Sequence, residues 1–434
     1  MKHPIENITP IVRHDLCTQC GTCLPVCPVN AISFRQHPKR GLIPVVDETV
    51  CIQCRKCVKV CPGDTLDFKA MQKQVFGSLP EDPLFGHYQA VYSGYSNEEK
   101  VRYNGASGGL VSTLLIDLLE NKQIDGALVV KMGGEQPLEP HIFIARTKEE
   151  ILSAQQSKYI PVPINIGFKE ILENPDKKYA VVSLPCHLHG ITLLERLYPK
   201  LKEQVVLKIG LLCGYNPTVN STKFLLDRAG VKDYSQVKEI KYRDGDWPCG
   251  FRAVMKDGTD HFLYPIKEFL YSHYIFERQR CAMCRDHSAE FSDLSFGDEW
   301  RHDIKTSAGG WSFLIVRSGR GKAVIDSMAA RGKITLEKAA AGTILRGQAG
   351  TLYFKKYGSF AFARIRKLFF KKAPGYLNRP EVAISPRYYV SALIIYVVTT
   401  LFNTTLFRKL AVVIPTYVFT KYRWFLCKAF EKKP

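Results

Sequence analysis

The feature that most restricts this chain is a cysteine repeat near its start. Cys17-Thr-Gln-Cys20-Gly-Thr-Cys23-Leu-Pro-Val-Cys27-Pro28 recurs 34 residues later as Cys51-Ile-Gln-Cys54-Arg-Lys-Cys57-Val-Lys-Val-Cys61-Pro62. Each block reads C-x2-C-x2-C-x3-C-P, so three thiolates take corners of one iron–sulfur cubane while the fourth, ahead of proline, points to the other. The spacing therefore predicts two [4Fe–4S] clusters that exchange a ligand, one on Cys17, Cys20, Cys23 and Cys61, the other on Cys51, Cys54, Cys57 and Cys27. Gly21 and Thr22 suit a loop whose amides turn toward inorganic sulfide and stabilise the more negative, reduced cluster. Ala31–Phe34 and Thr65–Phe68 read as short strands after each loop. Zinc also takes four cysteines from paired C-x2-C units, but two blocks of four cysteines in this order exceed what zinc requires.

The chain has fourteen cysteines in tight, ordered groups, and its opening Met-Lys-His-Pro with Glu6 and Asn7 contains no apolar signal core. Metal ligation in a reduced, cytoplasmic setting is expected rather than a disulfide framework. At 434 residues and 46% hydrophobic content, the chain can form two or three folded units. Of its net charge of +20, +14 falls between Lys355 and Pro434, where sixteen Lys or Arg meet only Glu381 and Glu431. The rest is only mildly basic.

From residue 86 the pattern becomes alternating strands and helices. Tyr88–Ser93, Gly126–Lys131, Tyr179–Ser183 and Val205–Leu212 read as strands, and Gly108–Glu120 as an amphipathic helix. Such alternation implies an α/β domain with ligands beyond its strand ends. The loop Asn104-Gly-Ala-Ser-Gly-Gly109 leads into the helix, where exposed amides suit a pyrophosphate. It is neither G-x-G-x-x-G nor a P-loop, and a plain glycine-rich N-cap explains it equally well. Cys186 and Cys213 each follow an apolar run, and Cys281-Ala-Met-Cys284 supplies a further C-x2-C. Four thiols from three loops can converge to hold a third cluster, although a lone cysteine after a strand is ordinarily a small buried residue. Cys249 and Cys427 have no sequence partners and read as structural.

Taken in order, these motifs resemble the coenzyme F420 hydrogenase/dehydrogenase beta-subunit family preceded by a bacterial-type two-cluster ferredoxin module. Tyr103-Asn104 to Gly109 and Gln156-Ser157-Lys158-Tyr159 are similar to its N-terminal domain. Leu184-Pro185-Cys186-His187, Leu212-Cys213-Gly214, Tyr242-Arg243-Asp244-Gly245 to Trp247-Pro248, Cys281-x2-Cys284-x-Asp286 and Gly297-Asp298 are similar to its C-terminal domain. The resemblance implies non-covalent FAD, an additional [4Fe–4S] cluster, and hydride exchange with coenzyme F420 or another substrate. It implies a flavin pocket of Asn104, Gly105, Ala106, Ser107, Gly108, Gly109, Ser157, Lys158 and Tyr159, and extra-cluster ligands Cys186, Cys213, Cys281 and Cys284. His187 stands where relatives commonly carry Gln, and a core or capping role is expected for it and for His189. A flavin also answers an electron count, since clusters release electrons singly whereas hydride chemistry moves two at once. Lys158 is the candidate catalytic residue, a cation that stabilises anionic reduced flavin if it faces the pocket. An ordinary surface lysine is the alternative.

The tail lies outside the family pattern. Tyr388 to Phe407 carries no formal charge and, as a helix, would extend about 30 Å, the thickness of a hydrocarbon core. Its second half is polar, with Thr399, Thr400, Asn403, Thr404 and Thr405, and the next uncharged run, Leu410–Thr420, is broken by Pro415. Aromatics interleave with Lys and Arg on both sides, a composition suited to helices lying on an anionic leaflet. Helices packing on the protein's own core and a subunit interface are the alternatives. Nucleic-acid binding is not expected, because no recognised fold accompanies the charge.

The expected architecture is an α+β ferredoxin-like 2[4Fe–4S] domain (1–72) followed by an α/β flavin-binding body and a basic, apolar, mainly helical tail (351–434). The body divides into parts similar to the family's N-terminal (86–165) and C-terminal (166–350) domains. The expected function is a cytoplasmic oxidoreductase, peripheral on the inner membrane face if the tail binds lipid. It would pass electrons between ferredoxin-type clusters and FAD, with the ferredoxin pool or a partner redox subunit at one end and coenzyme F420 or another hydride carrier at the other. A non-catalytic subunit wiring a partner enzyme to the ferredoxin pool is the alternative.

Overall fold

The computed structural model describes residues 6–38, 40–133, 137–265, 269–300, 308–377, 380 and 382–430. After the first cysteine block the chain forms β1 (Ile32–His37), paired antiparallel with β2 (Gly41–Val46). Thr65–Phe68, expected as a strand, forms none. The Asp67 carboxylate instead accepts the Ala70 amide at 2.9 Å and caps α1 (Phe68–Phe76), which ends at Gly77. A side chain able to satisfy the first orphan amides diverts this segment from extended to helical backbone.

The body then lays down β3 (Ala90–Ser96), α2 (Leu110–Glu120), β4 (Gly126–Met132), β5 (Pro140–Ala145), α3 (Lys148–Ser153), β6 (Tyr179–Ser183), α4 (Pro185–Leu197) and β7 (Val205–Leu211). Three strands, β8 (Val237–Asp244), β9 (Gly250–Met255) and β10 (Asp260–Pro265), make a small antiparallel sheet of their own before β11 (Leu294–Asp298), β12 (Ser312–Val316) and β13 (Ile334–Ala339). The main sheet has the order β13-β3-β12-β11-β7-β6-β4-β5. Segments 86–165 and 166–350 therefore share one sheet, their strands interleaved. Strands β11, β7, β6 and β4 run parallel in its centre, and their apolar runs are what a sheet covered on both faces requires. Strand β3 runs antiparallel to β12, which runs antiparallel to β11. The C-terminal ends of β3, β11, β7, β6 and β4 consequently meet at one end of the sheet.

One face is covered by α2, whose Leu114, Leu115 and Leu118 pack with Ala127, Ile209 and Leu314. On the other face, Leu188 and Ile191 of α4 share a core with Val26, Val60 and Met71 of the cysteine-rich module. The module is thus part of the body's core and not a bead on a linker.

The tail is helical: α5 (Leu345–Tyr353), a π-helical turn over Phe354–Gly358, α6 (Ser359–Leu368), α7 (Pro386–Phe402), α8 (Thr405–Val413) and α9 (Thr416–Phe430). The uncharged stretch 388–407 is not one helix, because the Thr404 hydroxyl caps α8 and the chain bends by 98° between α7 and α8. Among the described residues no single helix is long and apolar enough to cross a membrane. Tyr388, Ala392 and Ile395 pack with Ile11, Leu16 and Met283, so the inner side of the tail does cover the protein's own core.

Candidate functional site

The cysteine blocks repeat in conformation as well as in sequence. Gln19 and Gly21 have φ of 59° and 90°, and Gln53 and Arg55, at the equivalent positions, 54° and 61°. Left-handed residues at alternate positions turn successive amides to one side. Backbone amides reach sulfur, among them Gln19 to Cys17 at 3.3 Å, Ala31 to Cys27 at 3.2 Å and Gly63 to Cys61 at 3.4 Å, with Ile8 and Val58 at Cys57. Cys27, Cys51, Cys54 and Cys57 line one small pocket, and Cys17, Cys20, Cys23 and Cys61 line another. This crossed grouping is the one the spacing predicts. Among the described residues no three His, Cys, Asp or Glu side chains converge tightly enough to hold a single metal ion.

The two loops differ where they meet the body. A Cβ on Gly21 would lie 2.4 Å from the Pro163 carbonyl, and the Asn165 amide donates to the Cys20 carbonyl at 2.9 Å. Arg55 has the same left-handed backbone but faces solvent, so a side chain fits there. Behind Gly21, Asn165 Nδ2 donates to Thr22 Oγ1 at 2.8 Å and to the His187 carbonyl at 2.9 Å, and Thr22 Oγ1 lies 3.2 Å from Cys20 Sγ. These contacts join the first cysteine loop to α4.

Helix α4 carries Cys186, just past the end of β6. Cys213 lies just past β7, Cys281 lies within the one-turn helix Gln279–Ala282, and Cys284 lies two residues beyond it. The structure brings all four together. Burial raises the Cys186 thiol, and Cys284, Cys20, Cys213 and Cys281 add to the shift, so Cys20 of the neighbouring quartet is also within electrostatic reach. Burial likewise pushes Cys213 up to about 12 and Cys17 and Cys57 up to about 11. Such thiols are protonated at neutral pH, the reverse of a reactive cysteine, and must release protons to bind metal. The donor set, four cysteines converging from three loops, fits an iron–sulfur cluster. Lys355 of the tail places its ammonium 2.6 Å from the Cys281 carbonyl. Burial opposes its charge, but Cys284, Cys281, Glu277 and Cys213 outweigh burial and raise its pKa.

The neighbouring histidines are structural. His187 Nδ1 accepts the Leu184 amide at 3.2 Å, the capping role expected of it, and burial pushes its pKa down to about 3. His189 Nε2 pairs with Asp286 Oδ2 at 3.1 Å in the core.

The two segments expected to form the flavin pocket come together around a residue that sequence reasoning does not single out. Arg243, fully buried on β8, donates to the Ala106 carbonyl and, at 3.1 Å, to the Tyr159 hydroxyl. It pairs with Asp298 at the end of β11 at 2.7 Å and lies against the Trp247 ring, which meets Trp300 at a tilt. Burial works against its charge, but Asp298, Tyr159 and Cys249 outweigh it. Ser157 hydrogen-bonds Tyr159. In the Asn104–Gly109 loop, Asn104 turns back to the Lys100 carbonyl at 2.9 Å, while Ser107 Oγ and the Gly108 amide both meet Ser312 Oγ. No side chain caps α2, whose N-cap Gly109 has φ of 75°. Lys158 does not face the pocket. Its ammonium donates to the carbonyls of Ala154, Gln155 and Gln156 at 2.6, 2.6 and 3.0 Å, closing the turn after α3 while burial pushes its pKa down to about 7. The buried cation between the two segments is Arg243. Its motif, Tyr242-Arg243-Asp244-Gly245, marks the family without indicating which side chain reaches 84 residues back to Tyr159.

Models of the coenzyme F420 hydrogenase/dehydrogenase beta subunit match residues 91–166 (N-terminal part) and 176–341 (C-terminal part), and a 4Fe–4S dicluster domain matches residues 16–65. An uncharacterised protein of Methanocaldococcus jannaschii is 30% identical over 252 residues, 56% of this chain and 85% of that protein. A component of the F420H2 dehydrogenase of Methanosarcina mazei is 24% identical over 324 residues, 74% of this chain and 84% of that protein. In fold, the chain resembles one in the F420-reducing [NiFe] hydrogenase complex from Methanosarcina barkeri, with a TM-score of 0.52 and 23% identity over 70% of this chain and 99% of that one. Together these matches make the chain an iron–sulfur member of the coenzyme F420 hydrogenase/dehydrogenase beta-subunit family, with a 4Fe–4S dicluster domain at its N-terminus.

Proposed function

We propose that the chain is an iron–sulfur flavoprotein oxidoreductase carrying electrons between a redox partner and a hydride carrier. In this reading Cys27, Cys51, Cys54 and Cys57 hold one [4Fe–4S] cluster, Cys17, Cys20, Cys23 and Cys61 a second, and Cys186, Cys213, Cys281 and Cys284 a third. FAD is held between Asn104–Gly109 and Ser157–Tyr159. The observation that carries the reading is the order of these groups in space. The quartet with exposed Cys54 comes first, then the Cys20 quartet, then the Cys186 quartet across Thr22 and Asn165, and last Arg243 and Asp298, on the strand beside Cys213.

A bound flavin supplies the exchange between one-electron and two-electron chemistry. The chain's own residues fix and charge the site. Asp298 orients the Arg243 guanidinium, which ties Ala106 to Tyr159 and provides a fixed positive charge for an anionic ligand. Trp247, packed over Arg243, keeps water from that charge.

The M. mazei relative belongs to an F420H2 dehydrogenase, which makes a reduced deazaflavin the first donor to try. Anaerobically purified chain is expected to hold about twelve irons and one FAD, and to pass electrons from reduced coenzyme F420 to an artificial acceptor over many turnovers. About eight irons without flavin would restrict the claim to the dicluster domain. The exposure of Cys54 favours a second reading, an electron-transfer subunit with no substrate of its own. Oxidation that stalls until a partner enzyme is added would select it.

A further inference from the structure

Helices α7, α8 and α9 each bury one side in the body and turn an apolar side outward. On α7, Tyr388, Ala392 and Ile395 face in, while Val390, Leu393, Val397 and Leu401 face out. On α8, Arg408 and Ala411 are inside, and Leu406 (65% exposed), Lys409, Leu410 and Val413 (79%) are outside. On α9 the outward side carries Tyr417, Lys421, Trp424, Phe425 and Lys428. Large apolar side chains at helical spacing on three successive helices form a surface that soluble proteins ordinarily cover.

The inner contacts keep these helices from leaving the body to span a bilayer. Asn403, at the end of α7, accepts from Thr218 at 2.5 Å and donates to the Glu277 carbonyl at 3.3 Å, and Gln279 donates to Thr400 at 2.8 Å. Arg408 of α8 is paired with Asp227 from within, and Arg228 donates to Thr416 of α9 at 2.7 Å. The polar residues that interrupt the uncharged sequence are anchors to the protein.

The charge of the outer side selects its occupant. Between Lys355 and Phe430 the sequence has a single acid, Glu381, and every exposed charge described on α6 to α9 is a lysine or arginine. Lys428 lies 4.0 Å over the Trp424 ring and Lys421 5.6 Å over Tyr417. Ammonium groups carried on aromatic faces suit the depth where phosphate headgroups meet acyl chains. Protein–protein interfaces instead deplete lysine from their centres. We infer that the outward sides of α7, α8 and α9 form a platform that docks the protein on an anionic lipid leaflet without crossing it. The inference is independent of which substrate the redox site takes.

The test is flotation of the full-length holoprotein with vesicles of phosphatidylcholine containing phosphatidylglycerol, against phosphatidylcholine alone, at low and high salt. Wild-type chain is expected to float with the anionic vesicles and to be released in part by salt. Leu410→Asp with Val413→Asp should lower the bound fraction about tenfold, as lost apolar insertion would. Lys409→Gln, Lys421→Gln and Lys428→Gln together should weaken binding and flatten its salt dependence. All these positions are exposed, and an unchanged cluster absorbance verifies the fold. Failure to float with anionic vesicles, or flotation indifferent to both sets of changes, overturns the inference. A wild-type dimer that becomes monomeric with Leu410→Asp and Val413→Asp, without lipid binding, assigns the face to a second copy and also overturns it.

Discussion

Replacing Lys355 by methionine should make the reduction potential of the third cluster more negative by about 120 mV. Lys355 is 1% exposed, with its ammonium 2.6 Å from the carbonyl of Cys281, one of the four proposed ligands. A unit charge roughly 6 Å from the added electron, at an effective dielectric constant of about 20, is worth about 2.8 kcal/mol. At about 1.4 kcal/mol for each ~59 mV of a one-electron couple, that is about 120 mV. Methionine keeps the length and apolar stem of the side chain and removes the charge. The assay is an anaerobic redox titration followed by electron paramagnetic resonance on the wild type, Lys355→Met and Lys355→Arg. Arginine should stay within ~30 mV of the wild type, and the two dicluster potentials should not move in either variant. An intact third cluster whose potential is unchanged or more positive in Lys355→Met would refute the electrostatic reasoning.

Four further outcomes are expected. Cys61→Ser should abolish the same cluster signal as Cys20→Ser, and Cys27→Ser the same signal as Cys54→Ser, each with loss of about four irons; loss by sequence block would show that no ligand is exchanged. A Cβ at Gly190 would lie 2.1 Å from Thr22 Oγ1, which Asn165 holds in place. Gly190→Ala should therefore cost about 1–3 kcal/mol of overpacking, partly offset by about 1 kcal/mol of helix propensity, and Thr22→Ala should relieve it, giving a coupling of about 1 kcal/mol or more in a denaturation cycle; additive effects would show that the seam yields. Arg243→Met should lower the flavin recovered with the purified protein by about tenfold, one hydrogen-bonded charge being worth about 1.5 kcal/mol or more, and undiminished flavin would remove Arg243 from the pocket. His187, with a folded pKa of about 3 against about 6.5 when unfolded, is neutral at no cost above pH 6.5 and loses stability as pH falls below it. His187→Gln should therefore unfold less readily than the wild type at pH 5 by about 2 kcal/mol relative to their difference at pH 8, and a pH-independent difference would contradict this.

What the sequence disclosed follows from how local each constraint is. Cluster chelation is local, so the spacing of Cys17, Cys20 and Cys23 carries both the loop and its left-handed positions, and the proline after Cys27 and Cys61 marks the exchanged ligand. The central strands are legible because a doubly covered parallel sheet writes itself as uninterrupted apolar runs such as Val205–Leu211. Thr65–Phe68 misleads because one carboxylate, that of Asp67, decides between strand and capped helix. Lys158 misleads for a related reason: a lysine's direction is set by which acceptors lie near, here three carbonyls of its own turn. Arg243 stands in a motif that marks the family, but nothing local shows where its side chain goes, since its partners Ala106, Tyr159 and Asp298 come from two loops and a strand end far apart in the chain. The tail's composition is plain, but only packing separates Ile395, which is inside, from Leu393 and Val397, which are outside.

How firmly the cysteine-rich module is joined decides which routes electrons can take. Arg280 donates to the carbonyls of Leu16, Pro62 and Gly63, and Arg278 to those of Cys17 and Thr18, so the residues flanking Cys281 satisfy the backbone of both strands that hold the Cys20 quartet. Separating the module would exchange these hydrogen bonds for bonds to water, at a net cost of about 0.5–1.5 kcal/mol each, and would also open the apolar core it shares with α4. A mobile carrier, alternating between the body and an outside partner, is opposed by these contacts and by the one that places Thr22 beside Asn165. With the Cys20 quartet fixed inward, the quartet containing Cys54, beside the 60% exposed Ile52, is the one that reaches the surface. In the proposed function, partner exchange at the Cys54 quartet and substrate chemistry at Arg243 are then the two ends of one series of sites, and a partner that docks at Cys54 need never approach Arg243.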